Sequence, residues 1–451
     1  MLAAKGRLNE RPSASKSHAA FMSLVLPFFA MEAVIVLYVL IQGRSLYFLT
    51  SERSLYASFA IILAAAYMLV KIPPRIPKLI NILDVLFIAY AFLNLYSMLL
   101  SFLGGQIDII FLKQVFFFIC MLFFYLYGRF IPPQTSTAKS SSLFFTLIFL
   151  HLIIAIANGL QPGADPGFVA LSALLLFSST FNKSLLLRVI ACAAIVVYLA
   201  PIISNLNRTL IAWLLIFLTA TLFQTSYRNK LILLAAIVSA ISLVFISAVA
   251  IQDYKIQKSE SRSVARLNQL VSIARTGTTS QSVSISDRIH EIEGVKRKFA
   301  KEGSGENLLM GFGGAARYDA HLTTGVIFGN HNVHVGFYWE YLKRGYLGVF
   351  LFIIFNLAVL YSGIRQKDWS YAYRGEIRWI LFWYYIASLM FWFTWANFYY
   401  TQPPVWLYVG MVFARKAKVS SAYQNIAKLP SKNIYAQHVN YWQTKKARYR
   451  L

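Results

Sequence analysis

The sequence predicts an all-α, polytopic integral membrane protein: about twelve transmembrane helices and one large extracytoplasmic loop containing short helices. Three observations predict it. Hydrophobic residues make up 58% of the 451-residue chain and charged residues only 13%, where a soluble domain carries about a quarter charged. Apolar runs of spanning length, about 20 residues each, recur along most of the chain. One long polar segment, 252–334, interrupts them with eleven Lys/Arg, eight Asp/Glu and four of the seven His.

The elements follow in order. A basic N-terminus (Lys5, Arg7, Arg11, Lys16) leads into an apolar run at 19–43. That run is too long for a signal-peptide core and no clear small-x-small cleavage site follows, so it reads as the first span. Further spans are expected at 54–71, 79–104, 107–130, 141–160, 166–182, 185–202, 208–226, 230–251, 335–363, 377–397 and 400–415. This divides the chain into an N-terminal membrane bundle of about nine spans (1–251), the outer loop (252–334), about three C-terminal spans (335–415) and a basic tail (416–451).

Charge sets the expected orientation. With the N-terminus inside, the inner segments hold Lys71, Arg75, Lys78, Arg129, Lys139, Lys183, Arg188, Arg228, Lys230, Arg365, Lys367, Arg374 and Arg378. The short outer loops hold only Arg44, Arg53 and Arg208. Positive charge gathers on the cytoplasmic side, so both termini are expected there and the segment 252–334 outside. The formal net charge of +26 is accounted for by the same rule. No folded basic domain is visible, which excludes a nucleic-acid binder. Cys120 and Cys192 lie in apolar runs and suggest neither a disulfide framework nor a metal site.

Candidate functional residues cluster on the outer face. Arg208 follows SNLN at the start of a span, and Arg288 lies in SISDRIHEIEGVKRKF. In that stretch Ile285, Ile289, Ile292, Val295 and Phe299 repeat at three- and four-residue steps, the pattern of an amphipathic helix, with Ser286 as its expected cap. Glu291, Glu293, Glu302 and Glu306 alternate with lysines and read as a solvated face. A guanidinium is a planar, permanently charged fork suited to phosphate oxygens, although on composition alone snorkelling and solvation are the simpler account of such arginines. LLMGFGGAARYDAH then brings three glycines, Arg317 and His321, without the GK[ST] of a phosphate loop.

The stretch GNHNVHVGFYWEYLKRGYLGVF closes the loop with His331 and His334. If a helix starts before them they share a face. No HExxH, CxxC or DxD accompanies them, so no metal is expected. A general base, a hydrogen-bond partner for a sugar or phosphate, or a plain helix start remain as readings. Lys343 and Arg344 read as phosphate ligands or span anchors. Glu32, Asp84, Lys113 and His151 lie in spans, where an ionisable group marks a functional hypothesis; Asp84 and Lys113 are near enough to the ends to snorkel.

In order and spacing, SNLNRT, SISDRIHEIEG, MGFGG and HNVHVGFYWEYLKRGYLG resemble the motifs of the O-antigen ligase/polymerase superfamily of bacterial envelope enzymes, over about Ser204 to Phe352. Two departures stand out. Asn205 and Asn207 replace the usual serines. The histidine expected eleven residues before Gly345 is His334, whereas the His-Asn pair is His331-Asn332, so both histidines are carried forward. The resemblance implies a glycosyltransferase in the bacterial inner membrane that takes a glycan from an undecaprenyl-diphosphate donor. The acceptor is a second lipid-linked unit (O-antigen or exopolysaccharide polymerase) or lipid A core (O-antigen ligase). It implies diphosphate binding by Arg208, Arg288 and Arg317, catalysis by His334 or His331 with Arg288, and no cofactor. The lipid bilayer is its medium, and the resemblance leaves room for a chain-length regulator and a flippase as partners. A transporter of the same lipid-linked glycans is the alternative from another class.

Overall fold

The structure, a computed structural model, describes residues 81–130, 283–321, 327–331, 333–369, 377–393 and 396–414, with 62–63 and 66–67 besides. The predicted spans at 19–43, 141–160, 166–182, 185–202, 208–226 and 230–251 lie outside the described residues. So do nearly all of 54–71, the tail, and with them Arg208, Glu32, His151 and Cys192.

The described residues are mostly helical. In chain order they form α1 (Ile82–Leu103), α2 (Ile109–Phe130), α3 (Val283–Glu302), α4 (Gly305–Met310), β1 (Tyr318–His321), β2 (Ile327–His331), α5 (Gly336–Arg365), α6 (Ile377–Trp392) and α7 (Ala396–Thr401). A short apolar helix, α8 (Pro403–Ala414), follows. Three of these, α1, α2 and α5, are long and apolar enough to cross a membrane. The all-α expectation is corrected at the β1–β2 hairpin, an antiparallel pair with Tyr318 opposite His331 and His321 opposite Ile327. Its strands draw on aromatic and β-branched residues with glycines close by, too short a run for helical periodicity to assert itself.

Local chemistry fixes the ends of α1 and α2. Asn81 and Asp84 form a reciprocal capping box at the start of α1. Asp84 was expected to snorkel. It is instead buried and takes a bidentate pair from Arg129 at the far end of α2, both bonds 2.9 Å long. That pairing satisfies a carboxylate and a guanidinium that would each be costly alone. At the other end the Asp108 carboxylate accepts from the Ile110 and Phe111 N–H groups that open α2.

Apolar packing joins α1 to α5. Ser97 of α1 meets Lys343, Tyr90 meets Phe352 and Phe355, and Phe87 meets Phe355, so the two helices run antiparallel. Stacked rings continue the core, with Trp339 on Tyr400 at 4.5 Å and Phe352 on Trp392 at 4.3 Å between centroids. Beyond the contact, Phe350, Ile353, Leu357, Tyr361 and Ile364 form an exposed apolar stripe along α5, the face such a helix turns to lipid.

A kink inside α5 organises its N-terminal end. Gly345 has φ 62° and ψ −161°, a region open essentially to glycine alone. The break leaves the carbonyls of Leu342 and Lys343 without helical partners, and the glycine loop after α4 supplies them. Phe312 N–H donates to Leu342 at 2.9 Å and Gly313 N–H to Lys343 at 3.3 Å. Ser97 Oγ donates to the Lys343 carbonyl as well, at 2.8 Å. In return α1 holds the loop: Gly314 N–H donates to the Ser97 carbonyl at 2.7 Å and Ala315 N–H to Ser101 Oγ at 2.8 Å. Gly311, at φ 80°, is needed for the same contact, because a Cβ there would sit 2.3 Å from the Arg344 nitrogen.

Gly345→Ala is therefore expected to cost at least about 1–3 kcal/mol from backbone conformation alone, and more because the new Cβ meets the Leu309 carbonyl oxygen at 2.3 Å. Thermal unfolding of the detergent-solubilised protein should show a clear loss. Gly305→Ala, with nothing within 4 Å of its Cβ, should unfold as the parent does; equal behaviour of the two variants would refute the junction.

Candidate functional site

The site is built on α3. This helix starts at Val283, so Ser286 lies in its first turn and is not its N-cap. Its packed face is not the full apolar stripe read from the sequence. Val295 and Phe299 are buried, but Ile289 is half exposed. Phe299 stacks on Tyr341 of α5 at 4.2 Å and meets Phe312 of the glycine loop at 4.8 Å. Gly294 lets β1 approach closely, since a Cβ there would lie 2.4 Å from the Tyr318 ring. Those contacts bring the turn before Val295, which carries Arg288 and Glu291, against the residues that precede α5.

Glu291 is the centre of the group and corrects the sequence reading. It is no solvated helix charge: only 3% of it is exposed. Its Oε1 accepts from Arg288 Nη1, in an ion pair within α3, and from His334 Nδ1 at 2.8 Å. Its Oε2 accepts from the His334 backbone N–H at 3.1 Å. The His334 carbonyl accepts in turn from Ala396 N–H at 2.7 Å, which ties the residue to α7. Arg288 and His334 side chains are 37% and 32% exposed. A guanidinium and an imidazole thus reach the surface side by side, with their shared counter-charge beneath them.

Burial pushes the Glu291 carboxyl pKa up. The hydrogen bond from the His334 ring, and then the charges around it including the Arg288 guanidinium, outweigh that and hold it below its ordinary value of 4.5. A carboxylate can only accept, so His334 Nδ1 must carry a hydrogen. In the neutral ring this puts the lone pair on Nε2, the tautomer a general base needs.

The other expected residues fall elsewhere. His331 ends β2 opposite Tyr318, and α5 begins only at Gly336. The two histidines therefore share no helical face, and it is His334 that joins Arg288. Arg317 forms an ion pair with Asp108 at the start of α2; no described contact joins it to Glu291. Among the described residues no group of three or more His, Cys, Asp or Glu is placed to hold a metal ion.

A second polar group lies one to two turns further along α5. Lys343 and Arg344, read as surface anchors or phosphate ligands, are both buried. Arg344 donates to Glu340 Oε2 at 2.6 Å and to Asn94 of α1, and Tyr90 donates its hydroxyl to Glu340 Oε1 at 2.9 Å. Lys343 Nζ donates to the Gly314 carbonyl at 2.6 Å. The Glu340–Arg344 spacing of four residues was the available signal. It ties α1 to α5 just beneath the kink.

No protein-family model matches the chain, and no curated protein matches it in sequence.

The acid limb of stability should report the buried carboxylate. Its folded pKa is depressed, so the unfolded chain takes up the proton first as pH falls. Its contribution is full above about 4.5 and is lost as pH drops through the lower folded value. Thermal unfolding followed from about pH 6 to pH 3 should fall more steeply for the parent than for Glu291→Gln. Parallel curves would mean that Glu291 gains nothing from its partners.

Proposed function

We propose that the protein is a membrane glycosyltransferase that moves a glycan from undecaprenyl diphosphate to a lipid-linked acceptor on the outer face of the bacterial inner membrane, as a polysaccharide polymerase. In this reading about twelve spans surround the lipid, both termini are cytoplasmic, and the segment 252–334 faces outward. The observation that carries it is the convergence of Arg288 and His334. They are 46 residues apart in sequence and are bound to one buried carboxylate. The glycine loop and the kink at Gly345, two further segments of the same motif set, pack directly on each other, and Phe312 of the loop carries that junction to Phe299 of α3.

The chemistry follows from those groups. His334 Nε2 takes the proton from an acceptor hydroxyl as its oxygen attacks the anomeric carbon of the donor sugar. The bond from that carbon to the phosphate oxygen breaks, and its electron pair leaves with the diphosphate. Arg288, joined by Arg208 from the start of its span, offsets the charge that grows on the departing phosphate. The imidazolium then returns its proton to water or to the released undecaprenyl diphosphate. With lipid A core as acceptor the same groups would perform ligation.

Alanine at Arg288 or at His334 should abolish long surface glycan, a loss of on the order of a hundredfold or more, while the variant stays inserted at parental levels. The readout is surface glycan on a gel from cells in which the variant is the only copy. Unit-length glycan capped onto lipid A core, or short exopolysaccharide, marks a polymerase. Bare core with full-length glycan kept on undecaprenyl diphosphate marks a ligase. Normal chains from both variants would sink the reading.

A further inference from the structure

We propose that Glu291 is a positioning residue of the transfer reaction: it fixes His334 in the Nδ1–H tautomer and holds the Arg288 guanidinium beside it. This rests on the reading just given and adds a residue that the motif comparison did not single out. Three observations carry it. The carboxylate is almost wholly buried, while its two partners reach the surface. It grips His334 twice, through the ring Nδ1 and through the backbone N–H, so both ring direction and main-chain position are set. And Arg288 meets the same oxygen as the ring, so the separation of imidazole and guanidinium is set by one atom.

The elements around the carboxylate explain why it stays in place. Phe299 and Val295 anchor α3 from one side, and the bond from Ala396 to the His334 carbonyl anchors the chain from the other. Other charges of α3 pair among themselves: His290 and Arg297 face Glu293, and Lys298 faces Glu302. Among the described carboxylates of α3, Glu291 is thus the one turned inward, which a solvated helix face would not require. Orienting carboxylates of this kind act without touching the substrate. Removing the charge alone leaves the geometry in place and lets the wrong tautomer form.

The test uses the full chain in lipid nanodiscs with undecaprenyl diphosphate carrying a repeat unit, extracted from cells that lack the protein. Glu291→Gln should lower kcat by about a hundredfold or more with a much smaller change in KM. Glu291→Asp, which keeps the charge, should recover part of the rate. The 15N spectrum of His334 should show hydrogen on Nδ1 in the parent and a population with hydrogen on Nε2 in Glu291→Gln, a change that a purely structural role would not produce. Parental kcat in Glu291→Gln together with an inactive His334→Ala would overturn the positioning role and leave the functional reading standing. Full activity in both His334→Ala and Arg288→Ala would overturn the functional reading itself. An unchanged His334 spectrum in Glu291→Gln would also overturn the positioning role, whatever the rates.

Discussion

The break in α5 at Gly345 is the constraint on which the packing of α1, α3, α5 and the glycine loop depends. A continuous helix would close the Leu342 and Lys343 carbonyls into its own ladder. The backbone of Gly345 opens them instead, and buried carbonyls must find donors. They find them in the glycine loop and in Ser97. One irregular residue thereby joins α1, α5 and the loop. With the loop fixed, Phe312 holds Phe299, Phe299 holds α3, and α3 carries Arg288 and Glu291 to His334. The position of the site follows from backbone bonds made some distance from it.

Two charged groups use that scaffold differently. Glu340 and Arg344 are both buried, and the pair is completed by Tyr90 and Asn94. Such a group contributes geometry more than stability, because desolvation offsets much of the attraction. It fixes how α1 meets α5. Arg288, Glu291 and His334 keep only the anion buried. The cation and the imidazole remain partly exposed at the surface. Burying the anion alone makes the group both rigid and available.

The membrane character and the helical positions were legible in the sequence because long apolar runs allow little else. The described helices α1, α2 and α5 fall close to the stretches 79–104, 107–130 and 335–363. The motif glycines were legible as positions of close approach, but not their partners, since backbone-to-backbone contacts leave no mark on residue type. Glu291 was missed for a related reason. Its neighbours in sequence, Glu293 and Lys296, are solvent-facing charges, and local pattern assigned it to their face. Only the tertiary contact with His334, 43 residues on, distinguishes it. The separate settings of His331 and His334 likewise needed the strand at 327–331, which places one histidine in a hairpin and the other at the mouth of α5.

The most direct measurement is whether the protein breaks the bond between sugar and diphosphate. The full chain in nanodiscs would be supplied with undecaprenyl diphosphate carrying repeat units, and released undecaprenyl diphosphate would be followed against glycan length. Transfer requires one diphosphate released for each new glycosidic bond, and none from the His334→Ala protein. Lipid-linked glycan that stays intact and only changes leaflet when the protein is placed in sealed vesicles would contradict it. That result would identify a transporter, with the charges deep in the spans, Glu32 and His151, rather than those of α3 at its centre.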